Sequence, residues 1–131
     1  MNGIHINKYI RKWLIETDAV TNLVPASNIQ PLVIAPTRQP FITYTHGPIR
    51  PDYSKNGKVV DEVEVAVACV SNDYENSIDI ASAVRQALEW HQYRDEDIYI
   101  PDITFVEIQE DNLEDMFLQT LVLKIQIESL K

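Results

Sequence analysis

"VEVAVACVSNDYENSIDIASAVRQALE", residues 63–89, changes its hydrophobic period halfway along, and that change sets the fold class. In the first half Val63, Val65, Val67 and Cys69 alternate with Glu64, Ala66 and Ala68, the period of a strand with one face in a core. The strand reads from Val59 to Val70. Its second face passes from charged at Glu62 and Glu64 to small at Ala66 and Ala68, which predicts solvent on that side at the start and cover on both sides near Ala68. Ser71-Asn72-Asp73 then breaks the alternation, and Asn72 followed by Glu75 three residues later resembles a capping box. A helix follows from about Asp73 to His91, burying Ile80, Ala81, Val84, Ala87, Leu88 and either His91 or Trp90.

Upstream, Ile6, Ile10, Trp13, Leu14 and Thr17 fall on one helical face while Lys8, Arg11, Lys12 and Glu16 fall elsewhere, so the segment from Ile6 to Thr17 reads as an amphipathic helix. It fades through Asp18 to Asn22, and Pro25 disfavours a helical Val24. The connector "ASNIQPLVIAP" has room for one short strand at its Leu-Val-Ile core. Phe41 to Thr45, rich in aromatic and β-branched residues, reads as a strand bounded by Pro40 and Pro48. The prolines at 36, 40, 48 and 51 are expected to stop that strand and to hold Gly47 to Lys58, which contains Asn56-Gly57, as a protruding hairpin arm. Downstream of the acidic connector "YRDEDIYIPD", Ile103 to Ile108 and Met116 to Glu128 read as two strands joined through "EDNLED". In the last strand Phe117, Leu121, Leu123, Ile125 and Ile127 share a face. The expected architecture is α+β: a mainly antiparallel sheet of four to five strands with two helices on one face, as a single domain over 1–131.

Bulk properties narrow the function. The chain has 131 residues, 45% of them apolar, enough to bury one core. Its single thiol, Cys69, permits no intrachain disulfide and too few ligands for a thiolate zinc site; on the apolar face of a strand it reads as a small hydrophobe. No apolar run approaches the about 20 residues of a membrane span, so a soluble protein, intracellular when made and without a membrane partner, is expected. A net charge of −9 argues against sequence-specific nucleic-acid binding. Residues 1–58 nevertheless carry 7 bases against 3 acids, whereas residues 94–115 carry 9 acids against Arg94 alone. Besides a solvated acidic loop, that split fits a surface that meets its opposite in another copy.

Catalytic patterns are missing. Gly3, Gly47 and Gly57 stand alone, so no phosphate-cradling loop or dinucleotide fingerprint is present. His5, His46 and His91 lack metal-ligand spacing. Glu110, Asp111, Glu114 and Asp115 lack the alternating ligands and central glycine of a calcium loop. Trp13 and Trp90 read as core or helix-edge residues. No catalytic, cofactor-binding or metal site is expected, and no cofactor.

The order of elements carries a resemblance. An N-terminal helix leads into "DAVTNLVP", a proline-bounded strand follows in "NIQPLVIAPTRQPFITYT", a strand runs directly into a helix in the stretch quoted first, and "FVEIQEDNLEDMFLQTLVLKIQIE" closes as an acidic hairpin. This resembles the tail-completion, or tail terminator, proteins of long-tailed bacteriophages and prophages. The resemblance implies a structural virion protein of the tail, made in the host bacterial cytoplasm. It implies a homo-oligomeric ring, commonly a hexamer, that caps the tail tube protein and offers a surface to a head-tail connector protein. The charge split then suggests a subunit interface of Arg50, Lys55 and Lys58 against Glu110, Asp111, Glu114 and Asp115 of the neighbour. Another neck or minor tail protein, or a small ligand-binding or enzymatic α+β domain, is the alternative.

Overall fold

The computed structural model describes residues 3–32, 39–53 and 59–130. The strand–helix unit lies at its centre. Strand β3 (Val59–Ser71) runs into helix α3 (Tyr74–Leu88), and Val63, Val65, Val67 and Cys69 all point into the core. The helix cap is Asp73 rather than Asn72: its side chain accepts a hydrogen bond from the Glu75 N–H at 3.1 Å. Both residues are good caps, and the phase of the apolar stripe places the first helical residue at Tyr74.

Strand β7 (Met116–Ser129) pairs antiparallel with β3 over its whole length, with Val65 opposite Leu123 and Val67 opposite Leu121. On the other side of β3 lies β2 (Phe41–Tyr53), with Tyr44 opposite Val67. Strand β1 (Ile29–Pro31) joins β2 in parallel, while β6 (Ile103–Leu113) and the short β5 (Ile98–Ile100), followed by β4 (Tyr93–Arg94), extend the sheet beyond β7. Among the described residues the sheet thus has seven strands and is mixed, where four to five were expected. The extra strands come from the acidic connector, where Ile98 and Ile100 are buried on either side of Tyr99. The short upstream strand forms at Ile29–Pro31, one step before the expected Leu-Val-Ile; Leu32 turns out of line at φ 53, and 33–34 fall outside the described residues.

Prolines do not stop β2. The strand continues through Pro48 and Pro51 to Tyr53, with a bulge between His46 and Ile49. Past Tyr44 it has no strand partner on its outer side among the described residues, so a proline costs no ladder bond when its nitrogen faces that open edge. The expected arm is therefore the far end of a long in-sheet hairpin; its tip, 54–58, lies outside the described residues, as does Pro36.

Helix α1 (Ile6–Glu16), the four-residue α2 (Asp18–Thr21) and α3 make three helices among the described residues, against two expected. Ile6, Ile10, Trp13 and Leu14 of α1 and Ile80, Val84 and Leu88 of α3 form one cluster with the inward residues of β3 and β7. Each such fully buried aliphatic side chain contributes about 1.5–3 kcal/mol. The opposite sheet face carries a smaller cluster of Phe41, Val70 and Met116, against which Ala68 and Leu118 pack. The expected cover near Ala68 is supplied by these strand side chains.

Candidate interaction surface

Acidic residues contiguous in sequence are divided by the fold. Glu110 and Asp111 lie on β6, and Glu114-Asp115 is the two-residue turn into β7, so all four expected site acids gather at one exposed hairpin tip. Asp95, Glu96 and Asp97 belong instead to the β4–β5 turn, beside the C-terminal end of β7.

The tip is held to the body. Glu110 accepts hydrogen bonds from the Gln119 side-chain amide at 2.9 Å and from the Tyr74 hydroxyl at 2.7 Å. These two donors, Gln119 first, keep its carboxyl below the ordinary range, and the same contact raises the Tyr74 phenol. Gln119 is itself buried and reaches the Ser77 hydroxyl at 3.4 Å, while the Tyr74 ring meets Phe117 edge-on at 5.4 Å. Asp111 accepts from the Asn112 N–H at 2.7 Å. Glu114 sits at φ 54, a conformation that favours glycine. Replacing it with glycine is expected to stabilise the protein by about 1 kcal/mol in a urea melt, provided the turn is two residues long as found.

Arg50 is exposed on β2 and lies opposite Glu62, which also pairs with Lys124 at 3.2 Å. Its strand neighbours across the ladder include Asp61, opposite Pro51. Lys55 and Lys58 lie outside the described residues. Through Glu62, Arg50 is in register with Gln126, eleven positions from Asp115, so arm and acidic tip stand roughly 37 Å apart along the strands. Arg50 and the tip therefore do not pair within one subunit.

Another basic surface runs along α1. Lys8, Arg11, Lys12 and Ile15 line a groove of about 410 Å³ together with Asn7, Pro31 and Tyr44. The Arg11 guanidinium is braced by the Ile29 and Ala26 carbonyls, accepting at 3.0 and 3.3 Å. This surface was missed in the sequence because the cations were assigned only to the polar side of an amphipathic helix; their spacing at 8, 11 and 12 was the available signal.

On another face of α1, beside Tyr9, Asp95 is a structural acid. It accepts from the Asp97 and Ile98 N–H groups at 2.7 and 2.9 Å and from the Tyr93 and Tyr9 hydroxyls. The Ile98 and Asp97 backbone donors hold its carboxyl low, and burial first, then Asp95, pushes the Tyr9 phenol up to about 12. Of the two residues proposed for the α3 terminus, His91 packs inward, its ring 4.6 Å from that of Trp13. Trp90, at φ 64, is 65% exposed, contrary to its core or helix-edge reading, because the chain turns left-handed at the helix end and directs the indole outward.

Burial lowers the His91 value against a smaller opposing effect of Glu16. The unfolded chain then takes up its proton first, so stability present above about pH 6.5 is lost as the pH falls. Thermal melts between pH 7 and 5 should show this decline, and His91→Phe should flatten it. Cys69 is fully buried, which drives its thiol far above its ordinary value and agrees with its reading as a small hydrophobe.

The same fold occurs in a virion. A chain of the "Virion of native gene transfer agent (GTA) particle" superposes with a TM-score of 0.74 at 16% identity, covering 91% of each chain. Among curated proteins none matches. The α+β subunit described above is thus of a fold class that occurs in a virion. Residues 8–127 match the family described as tail completion protein gp17, and the chain belongs to that family. It is a structural protein associated with the virion tail.

Proposed function

We propose that this chain caps the tail tube as a ring of six identical subunits and offers the surface on which the head is joined, acting structurally and catalysing no reaction. The observation that carries this reading is the family match across residues 8–127. Its partners are then further copies of itself, the tail tube protein on one side and a head-tail connector protein on the other. The charge layout supports the ring: an acidic tip that stands roughly 37 Å along the strands from Arg50 of its own subunit is available to a neighbour's cations, and a head-to-tail contact of that kind closes when the rotation allows. Arg50, Lys55 and Lys58 are one candidate receiving surface for Glu110, Asp111, Glu114 and Asp115. Exposed ion pairs contribute about 1 kcal/mol or less each, so apolar contacts must supply most of the affinity and charges the register.

The test is to add purified chain to tube protein undergoing polymerisation and to follow tube length by electron microscopy. Elongation should stop with rings of six at one tube end. Tubes that grow unchanged, with the chain binding only to head-proximal particles, would favour the neck-protein alternative.

A further inference from the structure

We infer that the seat for the acidic tip is the groove on the outer flank of α1, and that its occupant is the tip of a second copy of this chain. The inference rests on the ring reading and supplies it with a contact. Lys8, Arg11, Lys12 and Ile15 recur at i, i+3, i+4 and i+7, so they form one stripe along the helix. Between that stripe and β1–β2 the groove has an apolar floor, made by Ile15, Pro31 and the Tyr44 ring, and a cationic rim. Arg11 is fixed over the wall by its two carbonyl contacts and Lys8 is exposed, while the exposed Lys12 places its ammonium 5.1 Å from the centre of the Tyr93 ring and must swing from there to meet an acid in the groove.

The hairpin tip inverts this pattern. Leu113 is an apolar side chain 50% exposed to water, and exposed acids Asp111, Glu114 and Asp115 surround it in sequence. The two-residue turn keeps all four at the narrow end of the hairpin. Leu113 on the apolar floor, with its acids against the three cations, satisfies both surfaces at once.

Placement favours the same pairing. The groove lies at the β1–β2 side of the sheet and the tip at the β6 side, so the surfaces stand at opposite edges of the subunit, as a head-to-tail contact requires. Tyr44 is in register with Val67 and Leu121, six positions from Asp115, an offset of roughly 20 Å along the strands. The arm at Arg50 is offset by eleven positions. The smaller offset leaves less displacement along the strands for docking to absorb.

Two measurements test the pairing on full-length protein. In the first, cysteines are introduced as Lys8→Cys and Asp115→Cys in one chain; buried Cys69 does not compete. Oxidation under ring-forming conditions should give a ladder of covalent oligomers ending at the closed ring, whereas Lys55→Cys with Asp115→Cys should give none. In the second, Lys8→Glu with Lys12→Glu should weaken self-association at least tenfold while leaving the circular dichroism spectrum unchanged. Adding Glu114→Lys and Asp115→Lys to that chain should restore it. Leu113→Ala should weaken association about tenfold with little salt dependence. Cross-linking at the arm and not at the groove, or rescue by charge reversal at Arg50, Lys55 and Lys58 alone, would overturn the groove and leave the ring standing. Cross-linking of the groove only to the tube protein would overturn the choice of occupant. A parent chain that never self-associates, on tube ends or off them, would overturn both readings.

Discussion

Val67→Asp is expected to leave no cooperative unfolding transition and little soluble protein. Val67 is fully buried on the helix-facing side of β3, with Tyr44 and Leu121 directly beside it in the ladder. A carboxylate there has no cation or donor to meet, and an uncompensated buried charge costs several kcal/mol. Domains of this size are stable by only about 5–15 kcal/mol, so the substitution consumes most or all of that margin. Two neighbours make the test specific. Val67→Ala removes two methyl groups and leaves a cavity, costing about 2 kcal/mol, which a urea melt resolves without unfolding the protein at room temperature. Ala66→Asp places the same carboxylate one residue away on the open face, beside Thr45 and Val122, and is expected to retain a cooperative transition. Should Val67→Asp melt as Ala66→Asp does, the assignment of faces in β3 is wrong.

That contrast also shows why part of the fold was legible. A strand of 13 residues and a helix of 15 repeat their periods often enough to fix both type and buried face, and the same holds for β7. Strands β4 and β5 have two and three residues and sit among Arg94, Asp95, Glu96 and Asp97, so their charge hides them. Only the pair Ile98 and Ile100 betrayed an inward face. At β2 local chemistry pointed the wrong way: a proline removes a ladder donor from a strand with two neighbours, and sequence does not show that beyond Tyr44 β2 has one neighbour among the described residues.

The interaction surface was legible in its acids and not in its layout. Glu110, Asp111, Glu114 and Asp115 were recognised as one cluster, and they do share a tip. Asp95 and Asp97 appeared to belong with them, because charge counted along a chain ignores that β5 and the β6–β7 turn meet opposite ends of β7. Glu110 is also less free than a solvated acid, since Gln119 and Tyr74 both donate to it, and that latch depends on a pairing across β6 and β7 that composition does not encode.

Removing this chain from the particle-producing cell is expected to spread the tail lengths widely and to cut head-bearing particles by orders of magnitude. A tube assembled from identical rings presents the same end after every addition, so nothing in the tube subunit itself distinguishes the last ring from the one before. Growth ends when a subunit binds that end without reproducing it. On the function proposed above this chain is such a subunit, with one face that fits the tube and another that refuses a further tube ring. Without it, each end keeps a constant chance of further growth, and lengths become broad with a long upper tail. Heads then have no finished surface to join. A variant that folds but cannot form rings should give the same result as the deletion, because an isolated subunit covers only part of a ring-shaped end and leaves the rest open to addition. Length histograms from electron micrographs, taken beside counts of joined and free heads, separate the alternatives. Tails of normal length beside unjoined heads would show that another protein terminates the tube and that this chain acts at the neck.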